Sequence, residues 1–134
     1  MTNDGLVRLD PIDVMYVRDV GSPGADAFAE LEAAVGLRGR RFYGVFDPRS
    51  GRYRACVRRH QNDDPASLGL RSATIAGGLY AIERLRGDYE ELIAMIAPTF
   101  EAMVARHGGD PARPAIEFYR RHDEIVLYLP VSES

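Results

Sequence analysis

Hydrophobic positions change period along the chain, and each change predicts an element. From Val14 to Val20 the period is two: Met15 and Val17 share one face, Val14, Tyr16 and Arg18 the other, as in a strand. Gly21-Ser22-Pro23-Gly24 breaks it, with Ser22 placed to cap a helix and Pro23 at its first position. From Ala25 to Val35 the spacing becomes three and four: Phe28, Leu31 and Val35 give one apolar stripe, so a short helix is expected, stopped by Gly36. Arg41 to Phe46 reads as a strand, Asp47-Pro48-Arg49-Ser50-Gly51 as a hairpin turn, and Tyr53 to Arg59 as the return strand. Gln61 to Ser67 is aperiodic and rich in turn formers, which predicts a loop.

The same order then repeats. Ser72 to Leu85 is a strand region interrupted at Gly77-Gly78. Asp88 stands as a helix cap with Glu91 three residues on, and Leu92, Ile96, Phe100, Met103 and His107 follow a helical period up to Gly108. Pro98 falls inside that run and predicts a kink or a new turn. Pro114 to Tyr119 and Asp123 to Pro130 close the chain as a strand pair. Each half is therefore β-α-β-β, over about residues 12–60 and 72–131. Arg41 to Phe46 corresponds to Pro114 to Tyr119, and on that register Gly44 takes the place of Glu117. The expected fold is α+β in a single domain of residues 1–134. Two such units form one antiparallel sheet with pseudo-twofold symmetry, both helices on one face and a ligand groove on the other.

Composition narrows the class. Hydrophobic residues make up 46% of the 134-residue chain and charged residues 28%, as in ordinary globular proteins. Net charge is −3 with no basic block, so nucleic acid is not an expected partner. All 17 basic residues are arginine. No apolar run is long enough to span a membrane, and Met1 to Gly5 carries no signal-peptide pattern. The single cysteine, Cys56, fits a reducing, cytoplasmic location. His60, His107 and His122 show no ligand spacing, so neither a metal nor another cofactor is expected. Ser132-Glu133-Ser134 is a short polar end with no recognisable address.

The candidate chemistry centres on Glu117, an acid inside an apolar strand. Alternation puts Ile116 and Phe118 on one face of that strand and Glu117 and Tyr119 on the other. On the last strand Ile125, Leu127 and Leu129 form one face; Glu124, Val126 and Tyr128 form the other. If the apolar faces pack on the helices, Glu117, Tyr119 and Tyr128 line the open face, met by Phe42, Phe46, Arg54 and Cys56 from the first unit. Tyr43 and Tyr53 then fall on the helix side, as core. The competing structural reading is an ion pair between Glu117 and an arginine, Arg54 first among them.

Several segments together carry a family resemblance. They are Phe42 to Pro48, Arg52 to Val57, Ile75 to Ala81, Gly87-Asp88-Tyr89, Ile116 to Tyr119 and Tyr128 to Val131. Their order and spacing resemble the GyrI-like small-molecule-binding domain, which also serves as the effector domain of AraC-type and MerR-type regulators. The resemblance implies binding of planar, hydrophobic or cationic compounds between aromatic rings, with Glu117 as charge complement and Tyr89 and Tyr128 along the groove. It also implies two alternatives. One is hydrolysis of cyclopropane-type genotoxins, with Glu117 activating or orienting water. The other is a DNA gyrase inhibitor-type protein-binding module. No helix-turn-helix pattern is present, so a stand-alone domain is expected. Trp is absent, and Val126 stands where the family often carries a second acid.

Overall fold

The computed structural model describes residues 5–20 and 25–132. The Ser22–Pro23 cap and the ends of the chain lie outside these residues. Ten elements follow in order. The first half contains β1 (Leu6–Leu9), β2 (Ile12–Val20), α1 (Ala25–Val35), β3 (Phe42–Asp47), β4 (Arg52–Arg58) and β5 (Arg71–Ile75). The second contains β6 (Gly78–Arg86), α2 (Tyr89–His107), β7 (Ala115–Arg121) and β8 (Glu124–Pro130). The expected α+β class, antiparallel sheet and paired helices are present. Strand β1 was not visible in the sequence pattern, because four residues are too few for a period. The region from Ser72 to Leu85 is two strands, divided at Ala76-Gly77.

All eight strands form one antiparallel sheet in the order β1-β6-β8-β7-β3-β4-β2-β5. That order is symmetric about the β7–β3 pair: each half runs outward through equivalent strands. At this seam Gly44 is the register partner of Glu117, Phe42 of Tyr119 and Phe46 of Ala115. The sequence correspondence between Gly44 and Glu117 is thus also a physical adjacency.

The sheet is curled and buried on both faces. One face packs on the helices. On it, α1 covers β2 and β4 while α2 covers β6 and β8. Leu31 of α1 packs with Met15, Tyr53, Ala55 and Val57. Leu92 and Met103 of α2 pack with Ala81, Ile125, Leu127 and Leu129. The other face forms its own core from Val14, Tyr16, Tyr43, Cys56, Ile75, Tyr80 and Ile116. In a flat sheet β2 and β6 would stand about 24 Å apart, yet Val14 and Tyr80 share this cluster. Curling brings the two halves together and fills the concave side with side chains.

Helix α2 runs through Pro98 as a single element. Glu90 and Glu91 in its first turn and Arg106 and His107 in its last complement the helix dipole. Asp88 occupies the N-cap with extended backbone but makes no side-chain cap bond, so the expected capping box does not form. The left-handed Gly108 (φ 86°) ends the helix, its N–H donating to the Val104 carbonyl.

Candidate functional site

The centre of the helix-bearing face is covered by neither helix. Each packs on its own half of the sheet, which leaves the β3–β7 seam under the gap between them. Glu117 sits in that seam. The residue is buried, 7% exposed.

Two phenols hold the carboxylate. Tyr53 donates its hydroxyl to Glu117 Oε1 at 2.6 Å, and Tyr119 donates to the same oxygen at 2.5 Å. These lengths suit charge-assisted O–H···O⁻ bonds. Among the described residues no donor reaches Oε2. Phe28 of α1 braces both phenols edge-on, with ring centroids 6.2 Å from Tyr53 and 5.2 Å from Tyr119. The arrangement needs a glycine opposite. A Cβ built on Gly44 would stand 2.5 Å from Glu117 Oε1 and would overlap the Tyr53 hydroxyl.

Burial raises the pKa of Glu117 above the ordinary carboxyl value, and the hydrogen bonds from Tyr119 and Tyr53 pull it back down in part. Tyr53 and Tyr119 are pushed strongly upward, first by burial and then by the neighbouring Glu117 charge. They therefore remain protonated donors.

Beside Glu117 lies a cavity of about 340 Å³. Phe46, Tyr53, Ala115, Glu117 and Leu129 line it from the sheet and Pro48 from the β3–β4 turn; Ile96, Ala97, Phe100, Glu101 and Val104 line it from α2. Its walls are apolar except for Tyr53 and two carboxylates. None of the 17 arginines lines it. The lining thus sets negative charge in an apolar enclosure, where an opposite charge is felt far more strongly than in water.

Several expected positions need correction. Glu117 and Tyr119 lie on the helix-bearing face, not the open one. The strand pairing settles this: Glu117 partners Leu127 and Tyr119 partners Ile125, both packed under α2. Ile116 partners Tyr128 on the opposite face. Tyr128 accordingly packs edge-on against Tyr80 in the concave core, away from Glu117. Cys56 is also on the concave face, fully buried, and burial pushes its thiol up to about 12. Arg54 shares that side. Its Nε donates to Asp19 Oδ1 at 2.7 Å and its guanidinium lies 3.9 Å from the Tyr16 ring centroid. It is not a partner for Glu117, so the competing ion-pair reading fails for this residue.

The remaining candidates lie nearer. Phe46 lines the cavity, and Phe42 packs beside it in the α1 core as partner of Tyr119. Tyr89 opens α2, partly exposed, and stacks on His122 with centroids 5.0 Å apart. It does not line the cavity, although the charge of Glu117 is among the influences raising its hydroxyl, after burial and Glu32. Tyr43 stacks on Phe118 in the concave core, not on the helix side.

Sequence reasoning missed Tyr53 and the α2 wall. Tyr53 lies on the helix side as alternation predicts, but its apolar neighbours give no sign of the bond it makes to Glu117. On α2, the flank from Ile93 through Ala97 and Phe100 to Val104 is apolar beyond the core stripe, with Ile93 and Val104 exposed. That broad arc was the available signal.

The fold has solved counterparts. No known protein family matches the chain, and no curated protein matches it in sequence. In structure it is similar to an integron cassette protein from the mobile metagenome of Vibrio cholerae, VCH_CASS2. The TM-score is 0.77 at 10% identity, over 95% of this chain and 94% of that one. It is also similar to SAV2435, solved bound to tetraphenylphosphonium, with TM-score 0.66 and 12% identity over 96% of this chain and 93% of that one. A hydrolase from Listeria innocua matches with TM-score 0.62 and 12% identity, over 95% of this chain and 90% of that one. At these identities the likeness establishes the fold. No helix among the described residues is long and apolar enough to cross a membrane.

Proposed function

We propose that the cavity beside Glu117 binds small lipophilic cations, in keeping with the GyrI-like resemblance. One observation carries this reading: the carboxylate of the buried Glu117, held by two phenols, lines a largely apolar cavity that no arginine lines. Burial makes the empty site a poor place for the carboxylate charge. A cation entering beside Oε2 offsets that penalty, whereas a neutral ligand does not. Phe46, Phe100 and Tyr53 supply ring surface, and each favourable cation–π contact is worth about 0.5–2 kcal/mol. The neighbour solved with tetraphenylphosphonium supports the same ligand class.

Calorimetric titration with tetraphenylphosphonium and with tetraphenylborate, an anion of the same shape, tests the charge requirement. The cation is expected to bind and the anion not. Glu117→Gln is expected to weaken the cation by at least about tenfold. Equal binding of both ions, or an unchanged affinity in Glu117→Gln, overturns the reading.

A hydrolytic reading has narrower support. Glu101 gives the cavity a second carboxylate, and one structural neighbour is a hydrolase. Here Glu117 orients a water or takes its proton as the water oxygen bonds to a carbon of an electrophile such as a strained cyclopropane; a ring C–C bond breaks, and the carbon it releases receives that proton. Chromatographic detection of the ring-opened product with wild type, and its loss in Glu117→Gln, is the expected result. Saturable binding without product removes this reading and leaves the first intact.

A further inference from the structure

We infer that the cavity is ditopic: Glu101 provides a second cationic subsite, so that the preferred ligands are elongated dications. The inference rests on the cation-binding reading above and adds a length requirement to it. Glu117 and Glu101 are the two charged residues in the cavity lining, and both are acids. They come from different elements of the lining, Glu117 from the seam strand β7 and Glu101 from α2. The rest of the lining, including Phe46, Ile96, Phe100 and Leu129, is mostly apolar. Such a lining suits a molecule with a positive group at each end and a hydrocarbon or aromatic spacer.

Glu101 is also without a competing partner. It forms no ion pair or hydrogen bond among the described residues. Its neighbours one helical turn away are Ala97, Pro98, Val104 and Ala105, none of them basic. Asp19, Glu30, Asp63 and Glu124, by contrast, are held by arginines. The second acid is not on the last strand, where Val126 faces the concave side, but on the helix that walls the cavity. Glu117 is the buried anchor, with Oε2 open to a ligand; Glu101 is exposed and acts at the mouth. The two contributions differ accordingly. An exposed carboxylate adds a modest, salt-sensitive increment and therefore selects among cations that Glu117 already admits.

The test compares decamethonium, with two quaternary heads, and decyltrimethylammonium, with one, by calorimetry on the full chain. Wild type is expected to prefer the dication by about two- to fivefold, with the preference fading at high salt. Glu101→Gln is expected to erase the preference, with the dication losing more affinity than the monocation. Glu117→Gln is expected to weaken both ligands. An undiminished preference in Glu101→Gln, or equal wild-type binding of the two salts, overturns the ditopic inference alone. Failure of both to bind wild type overturns the cation reading together with it.

Discussion

Gly44 and Glu117 face each other across the central β3–β7 seam, and the glycine supplies the space in which the carboxylate and the Tyr53 hydroxyl meet. Gly44→Ala introduces a Cβ 2.5 Å from Glu117 Oε1, inside any tolerable contact. Either Tyr53 or Glu117 must leave its position. The expected cost is about 1–3 kcal/mol of stability, as for overpacking elsewhere, together with loss of cation binding. Urea unfolding and calorimetry read the two effects separately. An alanine variant with wild-type stability and affinity would show that the seam does not need the glycine.

The two phenols on Glu117 Oε1 make a second prediction. Each donates to the charged form and holds the acid's pKa down against burial. Tyr53→Phe and Tyr119→Phe should therefore each raise the pKa of Glu117 further, and each should destabilise the fold by about 1–3 kcal/mol. A carboxyl-carbon NMR titration follows the acid directly. A downward shift in either variant contradicts the hydrogen-bond assignment.

Much of this site was legible in the sequence, but its side of the sheet was not. Alternation correctly paired Glu117 with Tyr119 and separated both from Ile116 and Phe118. It could not say which face meets the helices, because both faces of this sheet are buried. Ile116, Phe118 and Tyr128 fill the concave core, and Ile125, Leu127 and Leu129 fill the space under α2. Apolar residues on both sides remove the contrast on which such an assignment depends. The relative register of β7 and β8 decided the matter, and a shift between Tyr119 and Arg121 adjusts it. The repeat did predict the Gly44–Glu117 correspondence, because equivalent strands of the two halves meet at the symmetry seam. Glu101 gives no signal because an acid on an amphipathic helix reads as solvated; only the cavity it lines sets it apart.

The loop after β4 is tied down by a separate charge pair. Arg40 grips Asp63 through two hydrogen bonds, at 2.6 and 3.0 Å, and Asp63 also accepts from the His60 backbone N–H. The Arg40 bond, ahead of all other influences, holds the Asp63 carboxyl down to about 2. A lowered carboxyl contributes stability above its ordinary value of 3.8 and loses it as the pH falls through about 2. Asp63→Asn should therefore cost about 1 kcal/mol at neutral pH and flatten this acid limb. Urea midpoints across the acid range provide the check, and an unchanged limb would assign the acid sensitivity to other groups.

Glu117 should behave with the opposite sign. Its pKa is raised, chiefly by burial, so the native chain keeps a proton that the unfolded chain has already released. Its contribution to stability is greatest below the ordinary carboxyl value of 4.5 and falls as the pH climbs through the raised one. Glu117→Gln removes that decline, so the variant should be more stable than wild type at mildly alkaline pH and closer to it in acid. A bound cation reverses the relation. It favours the carboxylate and lowers the pKa, so its stabilising effect should grow with pH through the same window. Thermal unfolding with and without tetraphenylphosphonium, over a pH series, measures both slopes at once. A ligand-induced shift that does not depend on pH, or that persists in Glu117→Gln, would place the cation away from this carboxylate.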